Sequence, residues 1–369
     1  MEKIKVLHVL TVLDRGGLET MLMNYFRNFN MNQFEFHFLV HRKNGLYEKE
    51  ILDNKGHIHR VSSLNFSIKN FLKYQKELDA FFSQNVFDIV HVHNNSFGYY
   101  PLKYAKKHGV KVRIIHSHIS SLKDNRKKVL LGKYLNKKIP KVANQLYACG
   151  AEAGQWMFKN SRFEVIPNAI DSTLFNYDPE IRKKIKTELD CNETTNLINV
   201  ARFNNQKNHL FLLEVFAEIL KLNMDYHLYL VGEGDLKPDI IAKIDSLGIK
   251  NNVTLLGVVG NVHELLQAMD IYLFPSLFEG LPVSLVEAQA SGIRCVISDG
   301  IPKEAILVDE NVKVISLKKS AQEWAREIDD YSIYERKDVS DIIREKGYDI
   351  IENAKALENK YLELLQKFS

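Results

Sequence analysis

The sequence of 369 residues predicts an α/β protein made of two doubly wound parallel sheets. Three observations lead to this prediction. Apolar strand patterns alternate with helical patterns, a polar run at 171–196 interrupts the alternation, and the alternation then restarts. The length also favours two domains, at about 150 residues each. Parallel sheets covered on both faces collect their ligands beyond the carboxyl ends of the strands.

The first half of the chain contains seven strand patterns. Helices with apolar residues at three- and four-residue spacing lie between them, for example Leu18–Phe29 and Phe71–Phe82. The predicted strands are Lys5–Leu10, Phe34–Val40, His57–Val61, Asp88–His93, Val112–His116, Gln145–Ala148 and Glu164–Ile166.

The second half contains six more strand patterns and ends in a long amphipathic helix. The predicted strands are Leu197–Ala201, His227–Val231, Val253–Leu256, Ile271–Phe274, Arg294–Ile297 and Val312–Ile315. No strand follows the last helix, at 348–369, so it is expected to pack across a domain surface. We therefore predict domains at 1–171 and 172–347.

Composition indicates an ordinary soluble globular protein, with 45% hydrophobic and 26% charged residues. No stretch approaches the roughly 20 apolar residues of a membrane span. The N-terminal apolar run is interrupted by His8 and followed by Asp14 and Arg15 without a small-residue cleavage site, so it is interpreted as a strand and not a signal peptide. The cysteines, Cys149, Cys191 and Cys295, form no C-x-x-C pair and are expected to be reduced core thiols, which favours the cytosol.

Charge is distributed unevenly along the chain. The segment Lys103–Lys141 contains thirteen Lys or Arg and one acid, Asp124, so its net charge is +12. The overall net charge is only +4, because the rest of the chain carries −8. Such asymmetry indicates an anionic partner, either a nucleic acid or an anionic membrane surface, unless the helix face is merely solvated.

A glycine pair, Gly16-Gly17, follows the first strand and precedes a helix, a place where backbone approaches a ligand and a helix N-terminus favours phosphate. The full G-x-G-x-x-G spacing of a dinucleotide site is missing. The second strand is followed by His41, Arg42 and Lys43 instead of an acid for the ribose. NAD is therefore not expected in the first domain.

Two strand ends carry histidines at alternate positions, His91 with His93 and His116 with His118. Residues i and i+2 share one face of a strand, so each pair could bind a metal. No carboxylate or cysteine is adjacent in the sequence, so hydrogen-bonded structural roles are favoured for His91 and His116. His118 is interpreted as a polar group facing a ligand cleft.

In the second domain, Arg202 ends the first strand and Lys207 follows before a helix. Two cations at a strand's carboxyl end can clamp a diphosphate, Arg through its bidentate fork and Lys as a point charge. Gly232 and Gly234 lie at the end of the next strand, where a nucleoside could lie flat against backbone.

The stretch Phe274–Gly292, FPSLFEGLPVSLVEAQASG, reads as a strand end, a loop with Glu279 and Gly280, and a helix with Pro282 in its first turn. Glu287 lies about one turn into that helix and can lean back toward the loop. The free amides of the first turn favour an anion or a hydroxyl-rich ligand. This combination suits a sugar attached to a phosphate. The alternative is an ordinary strand–loop–helix unit whose glutamates are merely solvated.

Together these motifs resemble the retaining glycosyltransferases of family 4, which have the GT-B fold of two Rossmann-like domains facing each other across a cleft. The resemblance covers nearly the whole chain, and the Glu-x7-Glu pair, Glu279 and Glu287, is its most specific part. The matching segments are Gly16-Gly17, His118 after IIHS, IPNAID at 166–171, VARFNNQKN at 200–208, VGEGD at 231–235 and the 274–292 stretch. The opening of the first helix and the HSH turn look most like bacterial enzymes that build capsular polysaccharide or exopolysaccharide.

The resemblance implies a role for each matching residue. Arg202 and Lys207 would hold the donor diphosphate, Glu279 the donor sugar and Glu287 the ribose hydroxyls, while His118 would lie beside the reacting sugar. The implied catalytic residues are therefore His118, Glu279, Arg202 and Lys207, and the implied donor-binding residues are Gly16, Gly17, Gly232, Gly280, Leu281, Pro282, Val283 and Glu287. The donor is expected to be a nucleotide-sugar, by family habit a UDP-sugar. The final helix is expected to pack back on the first domain.

No D-x-D motif is present, so a metal-independent reaction without a cofactor is expected, with the cation pair and helix amides neutralising the leaving diphosphate. The acceptor is expected to be a glycan or a polyprenyl-diphosphate-linked glycan, held by the first domain. The basic stretch 103–141 would then bind the inner face of an anionic cell membrane. A non-hydrolysing sugar-nucleotide epimerase of the same architecture remains an alternative. A nucleic-acid-binding protein ranks last, because only Tyr104 and Tyr134 in that stretch could stack bases.

Overall fold

The computed structural model describes residues 2–14, 16–64, 67–119 and 126–368. The chain forms two compact units, one of residues 1–169 with 350–369 and the other of residues 170–349. We refer to them as unit 1 and unit 2.

Unit 1 contains a seven-stranded parallel sheet in the order β3-β2-β1-β4-β5-β6-β7. The strands are β1 (Ile4–Val9), β2 (Phe34–Val40), β3 (His57–Arg60), β4 (Ile89–Val92), β5 (Val112–Ser117), β6 (Gln145–Ala148) and β7 (Glu164–Val165). The helices are α1 (Gly17–Asn28), α2 (Glu48–Asp53), α3 (Ile68–Gln84), α4 (Tyr99–Lys107), α5 (Arg126–Lys138) and α6 (Ala151–Phe158).

Unit 2 contains a six-stranded parallel sheet in the order β10-β9-β8-β11-β12-β13. The strands are β8 (Thr195–Val200), β9 (Tyr226–Val231), β10 (Val253–Gly257), β11 (Ile271–Phe274), β12 (Arg294–Ser298) and β13 (Val312–Ile315). The helices are α7 (Ser172–Phe175), α8 (Pro179–Glu188), α9 (His209–Leu222), α10 (Lys237–Leu247), α11 (Val262–Ala268), α12 (Val283–Ala290), α13 (Ala321–Asp329) and α14 (Ser340–Glu345).

The two parallel sheets confirm the predicted fold class. All thirteen predicted strands form, with ends that move by no more than two residues. Apolar runs located the central strands well because helices cover a parallel sheet on both faces, whereas the edge strands β3, β7, β10 and β13 are only partly buried. All three cysteines are buried and free, as predicted. Among the described residues, no helix is both long and apolar enough to cross a lipid bilayer.

The core of unit 1 is aromatic on the face of the sheet that α1 covers. Phe36 of β2 packs edge-on against Phe26 of α1 and against Phe29, the C-cap of that helix, with ring centroids 5.6 and 5.0 Å apart. The C-terminal helix, Ile350–Phe368, belongs to this unit, and its buried Tyr361 packs against Phe29. Its Lys360 also forms an ion pair with Glu164 of β7. This helix therefore completes the cover of the sheet.

The core of unit 2 is centred on α9, whose apolar face packs against the sheet and against Trp324 of α13. Two partly buried arginines fix α11 from outside that core. Arg182 and Arg336 both donate to the carbonyl of Gln267, near the C-terminal end of α11, at 2.9 and 2.7 Å. These are the carbonyls that a helix end leaves unsatisfied, so the two guanidinium groups cap α11.

Candidate active site

The loops that follow β8 and β11 lie side by side, because these strands are neighbours in the sheet of unit 2. Three hydrogen bonds join the loops. The carbonyl of Gln206 accepts from the amide of Leu277 at 2.8 Å, its side-chain amide donates to the carbonyl of Phe278 at 3.0 Å, and Asn208 donates to the carbonyl of Pro275 at 3.1 Å. Motifs about 70 residues apart in the sequence thus form one edge of a site.

Lys207 and Glu279 meet at this edge. Lys207 Nζ donates to Glu279 Oε1 at 2.8 Å and lies 4.7 Å from the centroid of the Phe274 ring. The side chains are 16% and 7% exposed, so water screens the pair only weakly. The ammonium is held in place before any ligand arrives, and a phosphate that binds Lys207 would share it with Glu279.

Arg202 stands just beyond the end of β8 with an exposed side chain. Asn204, two residues later, begins a short 3₁₀ turn, and its side-chain oxygen accepts from the amide of Lys207 at 3.2 Å. This turn shapes the segment between the two cations. The guanidinium remains accessible to an anion at the carboxyl end of the sheet, where ligands of parallel sheets bind.

Helix α12 begins at Val283, one residue later than predicted, because Pro282 is the residue that caps it. Proline offers no side-chain acceptor, and the cap makes no side-chain hydrogen bond to the first turn. The amides of Leu285 and Val286 donate to the carbonyl of Pro282, and the amides that precede them at the start of α12 are available to an acceptor. Beyond the helix, Gly292 has φ +70°, and a Cβ there would lie 2.3 Å from the carbonyl oxygen of Lys337, which is why glycine follows this helix.

Glu287 lies one turn into α12 and is partly buried. Burial raises the pKa of Glu287 to about 7. The hydroxyl of Tyr272, in β11, makes a 2.8 Å hydrogen bond with Oγ of Ser284, in the first turn of the same helix. A carboxyl group with this pKa is poised between its two protonation states near neutral pH, and ligand hydroxyls that donate to it would favour the carboxylate.

Gly232 and Gly234, after β9, have a packing role as well as a place at the sheet edge. A Cβ at Gly232, which has φ +140°, would lie 2.0 Å from the carbonyl oxygen of Ala201, and one at Gly234 would lie 2.3 Å from that of Phe203. The segment that leads to and past Arg202 therefore passes directly over these glycines. Side chains here would displace the arginine-bearing loop.

In unit 1, Gly16 and Gly17 lie where the sequence predicted, between β1 and α1. Gly16 is the N-cap of α1, Gly17 is its first residue, and the cap makes no side-chain hydrogen bond. Arg15, between Asp14 and Gly16, lies outside the described residues. The start of α1 has the backbone features of an anion site.

His118 follows β5 in unit 1. Its backbone amide donates to Asn95 Oδ1 at 3.1 Å, and its ring nitrogen Nε2 lies 2.9 Å from Nδ1 of His93. Burial lowers the pKa of His118 to about 3, so the ring is neutral at physiological pH. The structural roles predicted for His91 and His116 agree with a 3.3 Å contact between their rings.

Sequence reasoning missed several residues that shape these sites. The matching segment VARFNNQKN predicted no individual role for Asn204, which caps its own turn, or for Gln206 and Asn208, which join the loops of unit 2. His8 was noted only as an interruption of an apolar strand. Pairing β1 with β4 would have placed His8 opposite His91, which was the available signal.

The comparisons with known proteins follow the same division of the chain. The family described as Glycosyltransferase Family 4 matches residues 15–174, and the family described as Glycosyl transferases group 1 matches residues 181–356. The putative glycosyltransferase EpsF of Bacillus subtilis is 34% identical over 97% of this chain and 96% of its own length.

The chain belongs to glycosyltransferase family 4.

Two further relatives are more distant. The capsular polysaccharide biosynthesis glycosyltransferase CapH of Staphylococcus aureus is 28% identical, over 88% of this chain and 90% of its own length. A UDP-Gal:alpha-D-GlcNAc-diphosphoundecaprenol alpha-1,3-galactosyltransferase of Escherichia coli is 26% identical, over 80% of each chain. This family 4 protein is thus a glycosyltransferase.

Solved glycosyltransferases share the fold. A glycosyltransferase from Rickettsia africae aligns over 99% of both chains with a TM-score of 0.78 at 19% identity. The Anabaena protein HepE, solved in complex with UDP and glucose, aligns over 99% of this chain and 98% of its own with a TM-score of 0.75 at 17% identity. The family 4 protein accordingly has the GT-B fold, as predicted.

Proposed function

We propose that this glycosyltransferase moves a sugar from a nucleotide donor, a UDP-sugar, to a lipid-linked glycan during surface polysaccharide synthesis, with retention and without a metal. One observation carries the proposal: Arg202, Lys207 and Glu279 lie on adjoining loops at the carboxyl edge of the unit 2 sheet, with Lys207 already held by Glu279. Two cations that can meet a diphosphate supply the charge stabilisation that breaking a sugar–phosphate bond requires.

Each donor group would have a partner in unit 2. The diphosphate would bind Arg202, Lys207 and the open amides of α12, with Gly280, Leu281, Pro282 and Val283 forming the backbone of that turn. The sugar hydroxyls would bind Glu279 and the ribose hydroxyls Glu287. Glu279 and Glu287 bind the donor in this scheme and do not form an acid–base pair. In unit 1, we propose that the start of α1 at Gly16 and Gly17 binds a phosphate and that His118 binds a sugar.

The names of relatives support the choice of donor and acceptor. The Escherichia coli relative is named for a UDP-galactose donor and a diphosphoundecaprenol acceptor, and a Campylobacter jejuni relative, 32% identical over 28% of this chain, for a diphospho-undecaprenol acceptor. We propose the same classes of donor and acceptor here.

Donor binding can be tested without knowing the acceptor. A ligand that binds only the folded state raises its stability by about 2.7 kcal/mol at 100 times its Kd. We expect one UDP-sugar in a panel of UDP-, GDP- and CMP-sugars to raise the melting temperature of the protein in EDTA by several degrees. No stabilisation by any nucleotide sugar would overturn the donor assignment, and stabilisation only after adding Mn²⁺ would overturn metal independence. Conversion of UDP-N-acetylglucosamine to another sugar nucleotide without acceptor would instead indicate an epimerase.

Within the basic stretch, we propose α5 as the surface that binds the membrane. Several cations elsewhere in the basic stretch have structural partners: Lys107 pairs with Asp79 at 2.7 Å, and Arg113 donates to the carbonyl of Val142 at 2.7 Å. Helix α5, RKKVLLGKYLNKK, contains six cations and no acid and exposes Leu130 and Tyr134. Lys123 and Asp124 lie outside the described residues. Cations beside exposed apolar groups suit the inner, anionic face of a membrane.

Liposome flotation tests this surface. Each basic residue near an anionic surface contributes about 1 kcal/mol, so replacing Lys127, Lys133 and Lys137 with Gln should weaken binding to phosphatidylglycerol vesicles roughly 100-fold. Replacing three exposed lysines of unit 2, Lys183, Lys250 and Lys318, with Gln is the matched control and should change little. Equal binding of the unmodified protein to neutral and anionic vesicles would exclude the membrane part of the proposal.

A further inference from the structure

Five histidines and one tyrosine form two hydrogen-bonded rows in unit 1. In the first row, His8 Nδ1 lies 3.0 Å from His93 Nε2, and His93 Nδ1 lies 2.9 Å from His118 Nε2. In the second row, the Tyr361 hydroxyl lies 2.7 Å from His91 Nδ1, and His91 Nε2 lies 3.3 Å from His116 Nδ1. Only the first row ends on His118, the residue placed beside the reacting sugar.

The two rows stack on each other. The rings of His91 and His93 have centroids 4.4 Å apart, and those of His116 and His118 have centroids 4.1 Å apart. His8, His91, His93 and His116 are each 2% exposed or less. The cavity beside these rings is otherwise lined by side chains from α1 and its C-cap, from β2, from the segment after β7 and from the C-terminal helix, which are Met21, Leu22, Tyr25, Phe29, Phe36, Ile166, Leu357 and Tyr361. No charged side chain is among these.

Metal coordination does not suit this arrangement. His8, His91 and His93 are close enough to share an ion, as are His93, His116 and His118. However, both nitrogens of His93 already face nitrogens of other rings at hydrogen-bond distance. Stacked rings also direct their lone pairs along nearly parallel planes, whereas a zinc site needs lone pairs that converge tetrahedrally. Hydrogen bonding between neutral rings explains the contacts.

A neutral imidazole has one donor and one acceptor nitrogen, so the tautomers within a row depend on one another. If His8 donates from Nδ1, His93 accepts at Nε2 and donates from Nδ1, and His118 accepts at Nε2 and carries its proton on Nδ1. This arrangement of the protons is the first polarity of the row. In the opposite polarity, each ring carries its proton on its other nitrogen, and every hydrogen bond of the row runs the other way. The state of His118 is therefore set two rings away.

The ends of the row decide between the polarities. In the described structure His8 Nε2 and His118 Nδ1 are buried without hydrogen-bond partners. The opposite polarity would leave a permanent unsatisfied N–H on His8, deep in the core. The first polarity places the bare N–H on His118 instead, a partly exposed residue at the carboxyl end of β5, where a bound ligand can accept from it, whereas nothing can reach the 2% exposed His8.

We propose that His93, backed by His8, is a positioning residue that fixes His118 as the neutral tautomer with its proton on Nδ1, ready to donate to a sugar oxygen. This inference rests on the proposed function for the role of His118, but not for the tautomer. Burial, which lowers the pKa of His93 well below its usual value, keeps the row neutral.

Two substitutions of His93 test its hydrogen bonds to His8 and to His118 separately. The amide of Asn superposes on Nδ1 of a histidine, so His93→Asn keeps a donor to His118 and loses the link to His8. The amide of Gln superposes on Nε2, so His93→Gln keeps the link to His8 and loses the donor to His118. We expect His93→Gln to lower kcat 10- to 100-fold with the donor KM within threefold, and His93→Asn to lower kcat less than fivefold.

Tyr361→Phe is the matched control, because it removes an equally buried hydrogen bond from the second row and leaves His118 untouched. It should keep kcat within twofold. Equal losses in His93→Asn and His93→Gln, or a loss in Tyr361→Phe as large as in His93→Gln, would show general damage to the core and overturn the proposal.

Two-bond ¹H–¹⁵N spectra of protein labelled with ¹⁵N-histidine report the tautomers without any substrate. We expect His118 protonated on Nδ1 in the wild type and in His93→Asn, and a changed or mixed tautomer in His93→Gln. A His118 proton on Nε2 in the wild type, or an identical spectrum in both variants, would overturn the proposal. If the wild type transfers no sugar, the proposed function fails, while the spectra still judge the His93–His118 link.

Discussion

Replacing Arg202 with alanine is expected to lower kcat/KM for sugar transfer by about 10²- to 10³-fold while leaving the melting temperature of the ligand-free protein unchanged. Losing one group that stabilises developing charge costs about this factor in other enzymes. The stability should not change because the Arg202 side chain is exposed. Steady-state kinetics with the UDP-sugar identified in the binding panel, alongside thermal unfolding, measure both quantities.

Two further variants refine this prediction. Arg202→Lys keeps the charge but loses the planar fork that binds two phosphate oxygens, so it should recover only part of the activity. Arg326→Ala removes an exposed arginine from the last turn of α13 and should be silent. A kcat/KM for Arg202→Ala within threefold of the wild type would remove Arg202 from the donor site.

Unit 1 is expected to lose about 5 kcal/mol of stability between pH 7 and pH 5.5. Burial lowers the pKa of His8 to about 3 and the pKa values of His91, His93 and His116 well below the ordinary value. Because these pKa values are depressed in the folded state, the unfolded chain binds more protons below about pH 6.5, and stability falls as the pH falls. Each ring contributes on the order of 1 kcal/mol over this interval, and His118, whose pKa burial also lowers to about 3, adds to the sum.

Calorimetry at the two pH values measures the effect, with a decrease of roughly 10–20 °C expected for the unit 1 transition. Unit 2 should shift less, because its buried groups oppose each other. Burial raises the pKa of Glu287 to about 7, which favours low pH, and lowers the pKa of His209 to about 4, which favours high pH. His57→Asn, at a half-exposed position, should not alter the decrease. A unit 1 transition that moves by less than 3 °C would show that the rings ionise inside the folded protein.

Protonation of the buried histidines is also expected to lower transfer activity. Protonation of the buried rings destabilises unit 1, and one of these rings is His93, which is hydrogen-bonded to His118. Protonating any ring of the row removes an acceptor nitrogen, so one of the hydrogen bonds that fix the tautomers is lost. Loss of transfer activity at acidic pH should therefore accompany the unfolding transition of unit 1.

The sequence by itself determined the two parallel sheets and pointed to the strand ends where we propose that ligands bind. Strands buried on both faces read as apolar runs, which located the central strands of both sheets. The glycines and charged residues after β1, β8 and β11 marked the carboxyl edges, because ligand-binding residues of parallel sheets follow the strands. The family resemblance then supplied the roles of Glu279 and Glu287.

Tertiary structure alone decided which of these residues touch. Lys207 and Glu279 are 72 positions apart, and their ion pair depends on β8 lying beside β11 in the sheet. The row that ends on His118 depends equally on β1, β4 and β5 being consecutive neighbours. Strand order reflects the packing of helices on both faces and is not written in the local pattern of any strand. Chemistry at the strand ends was therefore readable from the sequence, whereas the partner of each side chain was not.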